Sequence, residues 1–153
     1  MMLAGLALLL ATAPAAPEER LLLHDLVAQG VEAPVAQALT SATCFELAST
    51  KGFDLMCPDD VRALMQWNAM ASTFSACQDQ ACLESSAKAL DARLVVSGNV
   101  QKVGETFALT LALLDTRLGK VRARAEVKAA SVDALHKQVA EAVGQLLKDA
   151  KKK

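Results

Sequence analysis

Three strand-like runs in succession, Arg93 to Val103, Thr106 to Asp115 and Lys120 to Ala130, constrain this chain more than anything else in it. In the second, Phe107, Leu109, Leu111 and Leu113 alternate with Ala108, Thr110 and Ala112. In the third, Val121, Ala123, Ala125 and Val127 alternate with Arg122, Arg124, Glu126 and Lys128. A period of two is the signature of an antiparallel sheet with one face buried and one in water. The pattern therefore predicts Val121, Ala123, Ala125 and Val127 facing inward and the four charged residues facing solvent. Gly104-Glu105 and Thr116-Arg117-Leu118-Gly119 stand where tight turns are needed. The meander dictates a fold and carries no chemistry.

The residues before it complete an α/β pattern. Leu21 to Val27 is apolar on both sides, which suits a central strand covered on both faces. Ala28 to Ala33 reads as a loop around Gly30. A helix follows from Glu32 or Ala33 to Ser49, with Pro34 in its first turn, where a missing N–H does no harm. Val35, Leu39, Thr43 and Leu47 recur every four residues and should face the sheet. Phe53 to Cys57 is a second short strand. Strand, helix, strand predicts a parallel pair with a right-handed crossover. Pro58-Asp59-Asp60 is a helix start, and Asp79 is an N-cap for a third helix over Gln80 to Leu90. Ser131 opens a closing helix to Lys148 on the apolar stripe Val132, Leu135, Val139, Ala142, Val143 and Leu146. The expected fold is α/β, in the order β-α-β-α-α-β-β-β-α. Its mixed five-stranded sheet has a βαβ unit followed by an antiparallel three-strand meander.

At 153 residues the chain is one domain. We place that domain over residues 20–148, with a leader over residues 1–15 and a lysine-rich tail over 149–153. Met2 to Ala11 is an apolar run followed by small residues, and Ala13-Pro14-Ala15 fits a small-x-small cleavage pattern, with cleavage between Ala15 and Ala16. The run is shorter than the roughly 20 residues of a membrane span, and no stable span is expected in the mature chain. The amino-terminal segment carries no Lys or Arg, a departure from the usual export signal. Export implies a periplasmic or secreted location and an oxidising environment for the thiols. Cys77 and Cys82 are close in sequence and are expected to form a disulfide, worth roughly 2 kcal/mol in the chain-entropy model. Cys44 and Cys57 have two readings, a second disulfide or buried small hydrophobes. Four cysteines allow three complete pairings, and spacing alone does not choose.

The search for chemistry is mostly negative. A net charge of −1 with four Phe, one Trp and no Tyr argues against nucleic acid. No nucleophile elbow, phosphate loop, dinucleotide glycine pattern or zinc-type histidine pair occurs, and no cofactor or metal is expected. His24 and Asp25 are neighbours in a predicted strand, so their side chains should point to opposite faces. They pair as base and orienter only if the backbone there is distorted. His136 falls on the polar flank of the last helix. Gly98, within Ser97-Gly98-Asn99, is read as a bulge or a close approach of a neighbour.

Several segments together resemble a known family. They are the strand, Gly-containing loop and helix over Leu21 to Ser49; Gly52-Phe-Asp-Leu-Met56 with the following Asp-Val-x-x-Leu64; Cys77-x4-Cys82-Leu83; Ala89-Leu-Asp-Ala92; Leu94-Val-Val-Ser-Gly-Asn-Val100; and Leu113-Leu-Asp115. The pattern is similar to the α/β domain at the amino terminus of the periplasmic protein TolB and of CsgG-like curli-secretion-channel proteins. It is closest to short exported relatives. The resemblance implies a mixed sheet flanked by helices, residence in the cell envelope, and protein–protein contacts in place of catalysis. The chain has neither propeller repeats after this domain nor the hairpins that build a channel wall. The expectation is a non-catalytic envelope module that binds an envelope protein or itself, through an exposed sheet edge at the Phe53–Cys57 strand or the third meander strand. The alternatives are a periplasmic small-molecule binder near the Ala28–Glu32 loop, or a hydrolase using His24 or Asp25.

Overall fold

The computed structural model describes residues 18–66 and 79–152. Among them lie six strands and five helices. In chain order they are β1 (Glu19–Leu23), β2 (Val27–Gln29), α1 (Ala33–Ala48), β3 (Phe53–Met56), α2 (Pro58–Gln66), α3 (Gln80–Ala89), β4 (Leu94–Val103), β5 (Thr106–Asp115), β6 (Lys120–Ala129), α4 (Val132–Lys137) and α5 (Val139–Lys151). The sheet order is β3-β1-β4-β5-β6, with β2 also alongside β4. β1 is parallel to β3 and to β4, while β4, β5 and β6 form the antiparallel meander. The mixed open α/β sheet is the expected one.

The predicted strand Leu21 to Val27 is in fact two strands. Leu23 pairs with Val96 and Val27 pairs with Asn99, so three residues of the first chain segment face two of β4. The extra residue makes a bulge over His24–Leu26. It is held on both sides: the His24 N–H donates to the Val96 carbonyl at 2.9 Å, and the Leu26 N–H donates to Thr40 Oγ1 of α1 at 3.1 Å. Gly98 lies beside the bulge. A Cβ there would stand 2.1 Å from the Thr110 carbonyl oxygen and 3.1 Å from the Leu26 side chain, so only glycine fits. The anticipated close approach is real. The predicted loop Ala28 to Ala33 is shorter, because Ala28 and Gln29 belong to β2.

Helix boundaries follow their sequence signals. Glu32 is the N-cap of α1, with proline in its first turn. The side chain of Asp60 accepts the Cys57 N–H at 2.9 Å at the start of α2, and Asp79 accepts the Cys82 N–H at 2.8 Å at the start of α3. Ser131 Oγ accepts the Ala134 N–H at 3.1 Å and caps the closing helix. That helix breaks at Gln138, whose N–H reaches the Leu135 carbonyl in a tighter turn, and α5 resumes to Lys151 with Ala150 buried. The polypeptide is thus helical three residues beyond the expected Lys148.

Two cores flank the sheet. The larger lies under α1, α4 and α5 and includes Leu21, Leu23, Leu39, Leu109, Leu111, Leu135, Val139 and Leu146. The smaller, under α2 and α3, includes Leu22, Val61, Leu83, Ala87, Val95 and Leu114. Fully burying one such leucine contributes about 1.5–3 kcal/mol. Here the third meander strand corrects its own pattern. Leu113 pairs with Ala123, but Leu114 pairs with Val121, leaving Arg122 as an extra residue. Val121 therefore packs on the smaller core while Ala123, Ala125 and Val127 enter the larger one. The bulge turns Arg122 toward Asp115, which is 0% exposed, and its guanidinium also donates to the Ala150 carbonyl at 3.3 Å.

Candidate functional site

The His24–Leu26 bulge interrupts the pairing of the first segment with β4, and it brings the suspected catalytic pair into view. His24 is buried, and its Nδ1 lies 3.0 Å from the Asp25 backbone carbonyl. The Asp25 carboxylate instead accepts from Arg62 of α2 at 2.8 Å, and Arg62 also binds Asp59 at 2.6 Å. The hydrogen bond that Arg62 donates to Asp59 is the chief cause holding the pKa of its guanidinium above the ordinary value, against burial and with help from the Asp25 charge. The backbone is distorted, as a His–Asp pair requires, yet the carboxylate goes to Arg62 and not to the imidazole. This arrangement fixes α2 to the bulge and leaves Asp25 spoken for. His136 is exposed on α4, as its position on the polar flank predicts.

Cys44 of α1 and Cys57 at the end of β3 form a disulfide, resolving the two readings of that pair. The bridge ties α1 to the β3–α2 junction, on the side opposite the β6 edge. Cys82 is not a free thiol. Its expected partner Cys77 lies outside the described residues, as do Ala15 and Ala16 at the expected cleavage point. Among the described residues no cluster of His, Cys, Asp and Glu could hold a metal ion, and no helix is long and apolar enough to cross a membrane.

A cavity of about 590 Å³ lies beside the disulfide, lined by Asp25, Thr40, Ser41, Cys44, Cys57 and Arg62 among others. It sits where adjacent parallel strands β1 and β3 send their following helices to opposite faces, the crevice in which open α/β sheets hold ligands. A cavity of about 280 Å³ includes His24, Gln29, Asn99 and Arg124. At the other end of the parallel strands, about 530 Å³ is enclosed by Glu19, Arg20, Asp54, Arg93 and Arg117 with others. There the charges neutralise one another: Arg20 with Asp54 at 2.8 Å, and Arg93 with Glu19 and with the buried Asp115. Asp115 also accepts the N–H groups of Arg117 and Leu118, at 3.0 and 3.2 Å, closing the β5–β6 turn. These ion pairs were not legible beforehand, because their members are distant in sequence and only the sheet register brings them together.

The outermost strands of the sheet are β3 and β6, the two edges named from sequence. β3 offers four residues and β6 offers ten. The outward row of β6, Arg124, Glu126 and Lys128, is exposed, and Lys128 binds Glu126 at 2.8 Å.

No protein-family model and no curated protein matches the chain. Solved structures do match. Lipoprotein GNA1162 from Neisseria meningitidis aligns with a TM-score of 0.57 at 17% identity, covering 86% of this chain and 97% of that one. The C-terminal domain of LpoB from Escherichia coli aligns with a TM-score of 0.56 at 14% identity, over 80% of this chain and 90% of that one. TolB from Acinetobacter baumannii aligns with a TM-score of 0.51 at 15% identity, over 86% of this chain and 29% of that much longer one. At such identities the likeness is one of fold. The TolB part of the sequence resemblance holds at that level, and LpoB and GNA1162 are neighbours the sequence did not suggest.

Proposed function

We propose that the protein is an exported, non-catalytic module of the cell envelope that works by binding another protein through the edge of its sheet. The observation that carries this reading is the ten-residue outer strand β6, whose far side meets no other strand among the described residues. An exposed edge is a row of unused N–H and C=O groups, and an extended segment of a partner can complete it. The shared fold with a lipoprotein, GNA1162, supports an envelope setting. So does the Cys44–Cys57 disulfide, a bond that persists in oxidising compartments. The apolar leader with cleavage between Ala15 and Ala16, and the Cys77–Cys82 bridge, belong to the same proposal. Chemical cross-linking in intact envelopes tests it. A defined product that disappears when Ala125 is replaced by proline in β6, with the fold retained, is the expected result. Products unaffected by that change would contradict the edge.

One observation favours a second reading. The cavity of about 590 Å³ at the crevice between α1 and α2 is large enough for a small polar metabolite. Thermal unfolding against an envelope metabolite panel should then give a reproducible rise for one compound class, and a flat response across the panel removes this reading.

A further inference from the structure

We propose that β6 is a self-association edge, pairing antiparallel with β6 of a second copy about a two-fold axis at Ala125. The inference rests on the edge-binding reading above and names the partner that reading leaves open. An edge carrying one sign of charge repels its own copy, which is a common way to keep sheets apart. This edge carries both signs. Arg124, Glu126 and Lys128 lie exposed on one face, and Ala123, Ala125 and Val127 lie buried on the other. No ion pair or hydrogen bond holds Arg124 among the described residues. Glu126 is held by Lys128 in a pair that is largely in water, so exchanging that partner costs little.

Symmetry then selects the register. In an antiparallel two-fold pair, residues facing one another must point to the same side of the sheet, so the axis passes through a residue position. An axis at Ala125 sets Arg124 against Glu126 of the second copy, and Glu126 against its Arg124. Both charge pairs form at once, with Ala123 facing Val127 behind them. An axis at Glu126 or at Arg124 sets like charges face to face. An axis at Ala123 opposes Arg122 to Arg124, and one at Val127 sets Glu126 against Lys128, which it already holds within its own strand, and leaves Arg124 without a carboxylate. At the Ala125 register Arg122 faces Lys128, but the bulge has already turned Arg122 toward Asp115, at 3.8 Å, and toward Ala150. The two sheets would join into one continuous sheet with Ala123 to Val127 paired in each copy, the regular part of β6 beyond the Arg122 bulge.

Sedimentation of the purified full chain over a wide concentration range tests this. A monomer–dimer equilibrium is expected. Arg124→Glu and Glu126→Arg should each weaken it by about tenfold or more, since each change turns two attractive pairs into repulsive ones. The double variant R124E/E126R restores complementarity and should dimerise like the wild type. Both residues are exposed, so folding should survive, as circular dichroism will show. Deuterium exchange supplies a readout without mutation: amides of Ala123 to Val127 should gain protection as concentration rises, and those of β3 should not. A wild type that stays monomeric, a double variant no tighter than the singles, or β6 exchange independent of concentration overturns the proposal. A monomer whose β6 still cross-links to a different envelope protein overturns self-pairing alone. A monomer with no edge-dependent cross-link overturns both this inference and the edge-binding function.

Discussion

At the scale of single residues, the Thr40 hydroxyl and the bare backbone of Gly98 accommodate the bulge that divides the first strand. Thr40 was invisible in the helical stripe, which pointed to Val35, Leu39, Thr43 and Leu47. It is nevertheless buried, accepting from Leu26 and donating to the Ala36 carbonyl at 2.8 Å. Thr40→Val keeps the volume and strands the Leu26 N–H, so it should cost about 1–3 kcal/mol in urea unfolding. An unchanged midpoint would show that the hydroxyl is dispensable. Gly98→Ala drives a methyl into the Thr110 carbonyl and should cost roughly 1–3 kcal/mol through overpacking and backbone shift. Gly98 was legible in sequence as a close approach, because a glycine inside a strong strand pattern has few other reasons. The commitment of Asp25 to Arg62 was not legible. It depends on α2 reaching across to the bulge, thirty-seven positions away along the chain.

At the scale of elements, local signals placed most boundaries, and long-range pairing made the exceptions. Proline and aspartate at Pro58–Asp60, Asp79 and Ser131 start helices where expected, since caps act within one turn. The third meander strand misled on Val121 because strict alternation assumes an unbroken ladder. The Arg122 bulge that breaks it exists to bring a cation to Asp115, and alternation carries no trace of that. Asp115→Ala leaves Arg93 and Arg122 facing an empty buried position and opens the β5–β6 turn. A loss of about 3 kcal/mol in denaturant unfolding is expected. A loss below 1 kcal/mol would mean the two guanidinium groups find water instead. The Cys44–Cys57 pair was evenly balanced in sequence and is settled by the crossover, which sets the end of β3 against the flank of α1. Closing a loop with a sequence separation of 13, it should contribute about 3 kcal/mol. Replacing both cysteines by serine should lower stability by that order, and reduction of the wild type, which also opens the disulfide at Cys82, should cost more.

At the scale of the whole molecule, the open sheet separates two unequal cores and, among the described residues, ends at β3 and β6 with no further strand beyond them. The helices cover faces and leave edges, so the surface with unspent hydrogen-bonding capacity lies along β6 and β3. That distribution, more than any side-chain cluster, directs the functional reading toward protein binding. Two candidate edge strands could be named from sequence because a βαβ unit and a meander have few ways to join, but the placing of β1 between β3 and β4 was not legible there. The position of the cavities could not, since they form where helix ends meet. The most direct measurement is site-specific photo-cross-linking in living cells, with a photoreactive residue placed at Arg124 or Lys128 on β6 and, as controls, at Glu141 or Gln145 on the exposed side of α5. A discrete protein adduct is expected from the β6 positions and none from the α5 positions. Adducts from α5 alone, or none from β6 in a stably folded and exported protein, would contradict binding through the edge.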